Sequence, residues 1–219
     1  PAMEDYKVDF VVDSGMHSRT INLRLKPFTL IGATTRAGLL SGPMRTRFGI
    51  ALHLDFWSPE ELLQRCRMTC RMLDVSYDAE ALDLLAGRAR GTPRIANRLL
   101  RRCRDYAQVR ADGRLNTDTV DAALKLEGID ALGLDELDRR FLRVIIDTYQ
   151  GGPVGIEAVP APLGEETDTL EDVVEPYLLQ AGLLARGRRG RRVTIKACEH
   201  LGVSRPTEAP DEGLFGADD

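Results

Sequence analysis

FTLIGATTRAGLLSGPMRTRFG, residues 28–49, decides how the rest of the chain reads. Phe28 to Ile31 is a short run of apolar and β-branched residues that Gly32 ends, the pattern of a buried strand. Thr34 and Thr35 then fall at the strand's carboxyl end. Open α/β sheets bind ligands at that edge, so two hydroxyls and Arg36 are aimed at a site. Arg47 follows further on, just ahead of Phe48 and Gly49. An arginine on a sharply turned segment with an apolar anchor suits a guanidinium that reaches across an interface to a phosphate. By spacing alone, the same stretch also reads as a strand, a loop and a surface arginine.

Composition bounds the rest. A chain of 219 residues holds one large or two to three small domains, and 29% charged with 43% hydrophobic residues is ordinary for a soluble globular protein. The net charge of −4 supplies no global basic field, so any contact with nucleic acid must come from a local cluster. Cys66, Cys70, Cys103 and Cys198 have no spacing suited to zinc and read as reduced, buried small hydrophobes. No apolar run approaches transmembrane length and no signal peptide opens the chain, which places it in the cytoplasm. The sequence begins at Pro1 and has no GxxxxGK[ST] phosphate loop.

Residues 6–13 and 19–26 largely alternate apolar and polar, with Ser14-Gly15 starting a turn, and read as a β-hairpin. A second strand is expected from Ile50 to Phe56. Ser58-Pro59-Glu60-Glu61 is a helix start, followed by a stripe of Leu62, Leu63, Cys66, Cys70 and Leu73. The next helix opens at Asp78 and buries Leu82, Leu85 and Ala86. Thr92 caps another, with Pro93 at its first position and Ile95, Leu99, Cys103 and Ala107 on one face. Thr117 caps a shorter one carrying Val120 and Leu124, and the four make a small bundle. Arg94 sits in a helix's first turn, where the dipole stabilises anions and disfavours a cation, so a structural role is weaker than usual. Arg98, Arg101, Arg102 and Arg104 cover several helix faces and read as solvated surface or subunit contact.

Residues 127–133 read as a linker. Leu137, Phe141, Leu142, Ile145, Ile146 and Tyr149 form a helical stripe that Gly151-Gly152-Pro153 stops. A helix from about Thr167 to Leu179, a basic turn from Arg186 to Arg192 and a returning strand from Val193 to Ile195 complete a winged helix-turn-helix. The helix that would read a groove carries Asp168, Glu171, Asp172 and Glu175, with Glu165 and Glu166 just before it, so base reading there sets carboxylates against phosphates. The wing holds Arg186, Arg188, Arg189, Arg191 and Arg192, which can track a backbone without reading bases. A merely solvated turn is the plain alternative.

IGATTR resembles the sensor 1 strand of AAA+ ATPases, and MRTRFG resembles the box VII segment that carries their arginine finger. With the flanking PAMED, GTPRIANRLLRR and GGPVG, the resemblance narrows to the RuvB family of Holliday-junction branch-migration motors and covers about residues 1–202. It implies an α/β plus α fold: the C-terminal part of an AAA+ large domain (1–57), a helical lid (58–128), a winged-helix head (131–203) and a disordered tail (204–219). By the same resemblance Arg47 is an arginine finger acting in trans, Thr35 is sensor 1 and Arg94, in GTPR, is sensor 2. Glu4, Asp5, Tyr6, Trp57 and Pro93 join Arg47 and Arg94 around ATP. Trp57 stands where the family usually has tyrosine, keeping the stacking face without the phenol hydroxyl. Arg186 and Arg191 match DNA-contact positions, with Arg188, Arg189 and Arg192 as weaker candidates.

The resemblance also implies docking of RuvA on the 6–26 hairpin, through candidates Val8, Phe10, Val11 and Val12. It further implies a homo-hexamer on duplex DNA at Holliday junctions, RuvC resolvase in the larger complex, and work in recombination, DNA repair and the SOS response. ATP and Mg²⁺ are the implied cofactors, with the phosphate loop and metal ligands expected upstream, so this segment alone is not expected to hydrolyse ATP. With the sheet's centre absent, residues 1–57 are expected to expose apolar faces. Ala158-Val159-Pro160-Ala161-Pro162 departs from the family's helix-friendly stretch, and its two prolines are expected to break or shorten that helix. A winged-helix DNA-binding regulator without ATPase activity explains residues 134–200 but not GATTR, TRFG and GTPR in order. A clamp-loader-like or initiator AAA+ protein fits the basic wing and GGPVG poorly.

Overall fold

The computed structural model describes residues 1–12 and 19–204, which fall into two units, Pro1–Leu54 and Asp55–Asp219. In the first unit, strands β1 (Lys7–Val12) and β2 (Arg19–Arg24) pair antiparallel. Val8 faces Leu23 and Phe10 faces Ile21, so these four share one face, and Phe10, Ile21 and Leu23 are each about half exposed there. The opposite face carries Lys7 against Arg24 and Asp9 hydrogen-bonded to Asn22. Of the four candidates for an outward apolar face, Val8 and Phe10 are thus placed. The side chains of Val11 and Val12, the Ser14-Gly15 turn and residues 205–219 of the expected tail lie outside the described residues.

The strands expected at Phe28–Ile31 and Ile50–Phe56 do not form. Strand identity needs a lateral partner to take up backbone N–H and C=O groups, and among the described residues the hairpin is the only sheet in this unit. The apolar side chains of both runs are accordingly exposed, Ile31 at 88%, Leu52 at 83% and Leu54 at 87%. The expected exposure of apolar faces is met. A short helix, α1 (Gly42–Arg47), closes the unit, with the Ser41 hydroxyl accepting from the Met44 N–H.

The second unit contains two cores. The first joins α2 (Pro59–Leu73), α3 (Ala79–Gly87), α4 (Pro93–Arg110) and α5 (Thr117–Leu126) around Leu62, Leu82, Leu85, Leu99, Leu100 and Leu124. Each such leucine contributes about 1.5–3 kcal/mol on burial. Ser58 and Glu61 make a reciprocal capping box at the start of α2, as the sequence suggests. Two caps differ from expectation. Asn116, not Thr117, caps α5 by accepting from Thr119 N–H at 2.8 Å, because a side-chain amide oxygen one residue earlier is the better placed acceptor. Thr92 holds the N-cap position of α4, but its hydroxyl donates to the Arg90 carbonyl instead of capping. Cys66, Cys70, Cys103 and Cys198 are free and buried. Burial pushes the thiols of Cys66 and Cys103 up to about 12 and that of Cys70 up to about 11, which leaves these three protonated and unreactive at neutral pH.

The second core is a winged helix: α6 (Glu136–Tyr149), the four-residue α7 (Pro160–Leu163), a helix running from Thr167 to Gln180, strands β3 (Leu184–Gly187) and β4 (Gly190–Val193), and α10 (Ile195–Leu201). Pro160 sits in the first turn of α7, so the proline-rich stretch does shorten its helix. The long helix is three pieces: α8 (Thr167–Thr169), a π-turn (Leu170–Val174) and α9 (Glu175–Gln180). Pro176 explains the π-turn. It has no N–H for the carbonyl four residues back, and its ring crowds that turn, so the helix widens ahead of it. The strand expected over Val193–Ile195 is corrected too: β4 ends at Val193, and Thr194 caps α10 by accepting from Ala197 N–H.

GGPVG holds the wing in place. Val154 pairs with Arg191 as an extra antiparallel bridge, with N···O distances of 3.0 and 2.8 Å. Gly152, at φ +93°, lets the chain pass so close that an added Cβ would lie 2.3 Å from the Arg191 carbonyl oxygen. Gly152→Ala is therefore expected to lower stability by about 1–3 kcal/mol. Gly155→Ala, at an ordinary φ of −69° with nothing within 4 Å, should stay within about 0.5 kcal/mol of the parent in urea unfolding.

Candidate functional site

In the first unit the structure brings Arg47 and Glu4 together. Arg47 ends α1, where Nη1 donates to the Pro43 carbonyl at 3.0 Å and the guanidinium forks onto Glu4, with Nη2 and Nε each 3.0 Å from a carboxylate oxygen. The Arg47 hydrogen bond holds the Glu4 carboxyl below its ordinary range. The Phe48 ring lies over Gly32, where an added Cβ would be 3.5 Å from its Cζ, so the arginine-bearing segment is anchored on the GATT segment. Thr35 is exposed on a bend, and the neighbouring Thr34 hydroxyl accepts from Arg36 N–H at 3.0 Å. Asp5 N–H donates to the Pro1 carbonyl at 2.8 Å. Tyr6 adopts a left-handed backbone at φ +52° and meets Phe28 edge to face, with ring centres 6.0 Å apart.

In the second unit, the turn between α3 and α4 gathers Trp57, Pro93 and Arg94. The backbone N–H of Trp57 donates to the Gly91 carbonyl at 2.8 Å, which ties the main chain of a residue 43% exposed to the turn before the helix that begins Pro93-Arg94. Gly91, at φ +64°, is needed here, since an added Cβ would lie 2.7 Å from Phe56 Cβ. Arg94 is exposed and makes no ion pair among the described residues. An aromatic face, a proline ring and a guanidinium are groups that can hold a purine and reach a phosphate.

The wing requires a correction. Arg186, Arg188, Arg189 and Arg192 are exposed, but Arg191, expected at a DNA contact, is only 6% exposed. Its Nε and Nη2 donate to the two Glu175 oxygens at 3.0 and 2.9 Å, and Nη2 also reaches Glu171 at 2.9 Å. The alternation of β4 turns Arg191 inward, where a buried carboxylate awaits it. The same hydrogen bonds balance part of the helix's charge, because Glu171 and Glu175 face Arg191.

Sequence reasoning missed Arg90, Asp135 and Asp138. Asp135 and Asp138 form a capping box at the start of α6. Arg90 is 8% exposed and pairs with both. The Asp-x-x-Asp spacing carried the signal for the box, whereas nothing in the sequence marks Arg90 apart from its neighbours.

Comparison with known proteins agrees along the length of the chain. Residues 1–54 match the Holliday junction DNA helicase RuvB P-loop domain, 57–130 the RuvB AAA lid domain, and 131–202 the RuvB C-terminal winged helix domain. The Holliday junction branch migration complex subunit RuvB of Kosmotoga olearia is 53% identical over 93% of this chain, and that of Salinispora tropica is 52% identical over 99%. The chain spans about 60% of the length of each of these relatives. A mutant RuvB of Thermotoga maritima superposes with a TM-score of 0.84 at 48% identity, over 94% of this chain and 64% of that one. The Thermotoga maritima RuvB Holliday junction branch migration motor gives 0.80 at 53% identity, over 83% of this chain and 61% of that one. Three consecutive domain matches and close relatives in both sequence and structure agree: the chain belongs to the RuvB family.

Proposed function

We propose that this chain is the greater part of an ATP-driven motor subunit that moves Holliday junctions along duplex DNA in recombination and repair, within the SOS response. Its layout is the end of an AAA+ large domain at 1–57, a lid at 58–128, a winged-helix head at 131–203 and a tail at 204–219. The observation that carries the reading is the backbone Trp57–Gly91 bond, which ties the residue bearing an exposed indole to the turn that leads into Pro93 and Arg94. Trp57 and Pro93 flank the adenine, and Arg94 reaches the γ-phosphate in its own subunit. Glu4, Asp5 and Tyr6 line the nucleotide from the large domain, Thr35 positions the attacking water or senses the γ-phosphate, and Arg47 crosses to the ATP of the next subunit in a hexameric ring. Mg²⁺ use follows from the family; among the described residues no group of three or more His, Cys, Asp or Glu side chains is placed to hold it. The apolar face of Val8, Phe10, Ile21 and Leu23 suits docking of RuvA, with RuvC joining the larger complex. The work lies in the cytoplasm with the DNA, on this reading; among the described residues no helix is long and apolar enough to cross a membrane.

The head grips DNA through the exposed wing, without reading bases. The test is binding of the 219-residue chain to duplexes of unrelated sequence over a salt series. Replacing Arg186 and Arg188 by alanine is expected to weaken all duplexes alike and to reduce the salt slope by about 1 for each phosphate no longer neutralised. A strong preference for one duplex that those substitutions leave intact points instead to a base-reading regulator.

A further inference from the structure

The junction between the lid and the winged helix reads from sequence as a linker over 127–133, yet Ile129 and Gly133 are buried and a set of polar contacts ties it to both sides. Gly133, at φ +78°, presses against the turn after α3, where an added Cβ would lie 2.6 Å from the Arg88 carbonyl oxygen. The Asp130 carboxylate accepts from Leu132 N–H and Leu134 N–H at 3.0 and 2.9 Å and also meets His200 at 2.8 Å. Arg139 donates to the carbonyls of Leu134 and Gly128 at 2.8 and 2.9 Å.

At the centre lies Arg90, on the turn that leads into α4. Its Nε donates to the Gly133 carbonyl at 2.7 Å, its Nη2 pairs with Asp138 and lies 3.3 Å from Asp135, and its guanidinium sits 5.0 Å above the Tyr177 ring. The Tyr177 hydroxyl in turn donates to the Leu132 carbonyl at 2.7 Å. A planar fork of five donors can satisfy a carbonyl, two carboxylates and an aromatic face together, which an ammonium cannot. The next residue in the chain, Gly91, accepts from Trp57 N–H at 2.8 Å, and α4 opens with Pro93-Arg94 just beyond. One short turn is therefore tied on one side to the candidate adenine edge and on the other to the first helix and the long helix of the winged head.

We propose that Arg90 is the positioning residue that couples the two: a shift of the Pro93-Arg94 end of α4 carries the winged head with it, because Arg90 leaves that joint no slack. A buried, fully hydrogen-bonded ionic network is stiff, and a stiff joint turns a change at the nucleotide edge into movement at DNA. The inference rests on the motor reading above.

The test uses a protein of the relatives' full length that carries this chain, with Arg90→Lys and, as a second variant that leaves no buried charge unpaired, Tyr177→Leu. ATP turnover without DNA, turnover with saturating duplex and duplex affinity are measured on folded protein. Stimulation of turnover by duplex is expected to fall about tenfold, while basal turnover and duplex affinity stay within about twofold, a loss within the usual range of coupling between sites. Full stimulation in a folded variant overturns the proposal, as does parallel loss of basal turnover and duplex affinity, which assigns Arg90 to fold maintenance alone. If the unsubstituted protein shows no turnover with duplex, the motor reading itself fails, and that result is distinct from either outcome.

Discussion

Arg47→Ala, made in a protein of the relatives' full length, is expected to lower DNA-stimulated ATP turnover by about 10³- to 10⁵-fold, the range that arginine fingers supply in other NTPases. The expectation rests on where the guanidinium is held. Arg47 ends a short helix whose following residue, Phe48, packs over Gly32, so its backbone position is set by the GATT segment rather than by a free loop. Its fork lies bidentate on Glu4, which keeps its charge balanced until a stronger anion replaces the carboxylate. Both partners are substantially solvated, so water screens the pair and its exchange for a phosphate is cheap. Lysine should not restore the rate, because a point charge lacks the second donor of the fork. Mixing the Arg47→Ala protein with a finger-intact, phosphate-loop-defective subunit should recover part of the turnover, since the finger acts on its neighbour's nucleotide. Unchanged turnover in Arg47→Ala removes the finger role from Arg47.

Helical parts of the fold are legible because their signals are local. Ser58-Pro59-Glu60-Glu61 names its own helix start, and the stripes of α2, α3, α4 and α6 fall on the faces that become buried. The two absent strands have a different cause, dependence on a partner distant in sequence. Phe28–Ile31 and Ile50–Phe56 have strand composition, but composition cannot supply the neighbouring strand that makes a strand. The π-turn is harder to see because Pro176 lies within an otherwise helical pattern. Candidate site residues divide in the same way. Arg94 and Trp57 can be placed from adjacent motif residues. Arg90 and Arg191 look in sequence like any surface cation, and only burial against Asp138 and Glu175 separates them from Arg94 or Arg186.

That separation makes Arg191→Ala the substitution with the largest expected cost to stability. Glu175 is 2% exposed and opens α9, and both of its oxygens accept from the Arg191 guanidinium. Hydrogen bonding to Glu175 holds the Arg191 pKa above its ordinary value, so the guanidinium stays charged. Arg186 is another cation near Glu175, at 3.8 Å and largely in solvent, too loosely placed to replace Arg191. Removing Arg191 strands a buried carboxylate, and such a loss costs about 3–5 kcal/mol. Joint replacement by Arg191→Met and Glu175→Leu should recover most of that, because the desolvation penalty disappears with both charges. Urea unfolding of the 219-residue chain, followed by a probe in the winged head, measures both. An Arg191 whose work is to hold DNA predicts the reverse: unfolding of Arg191→Ala within about 0.5 kcal/mol of the parent, as for an ordinary surface change, with the whole loss appearing in duplex affinity.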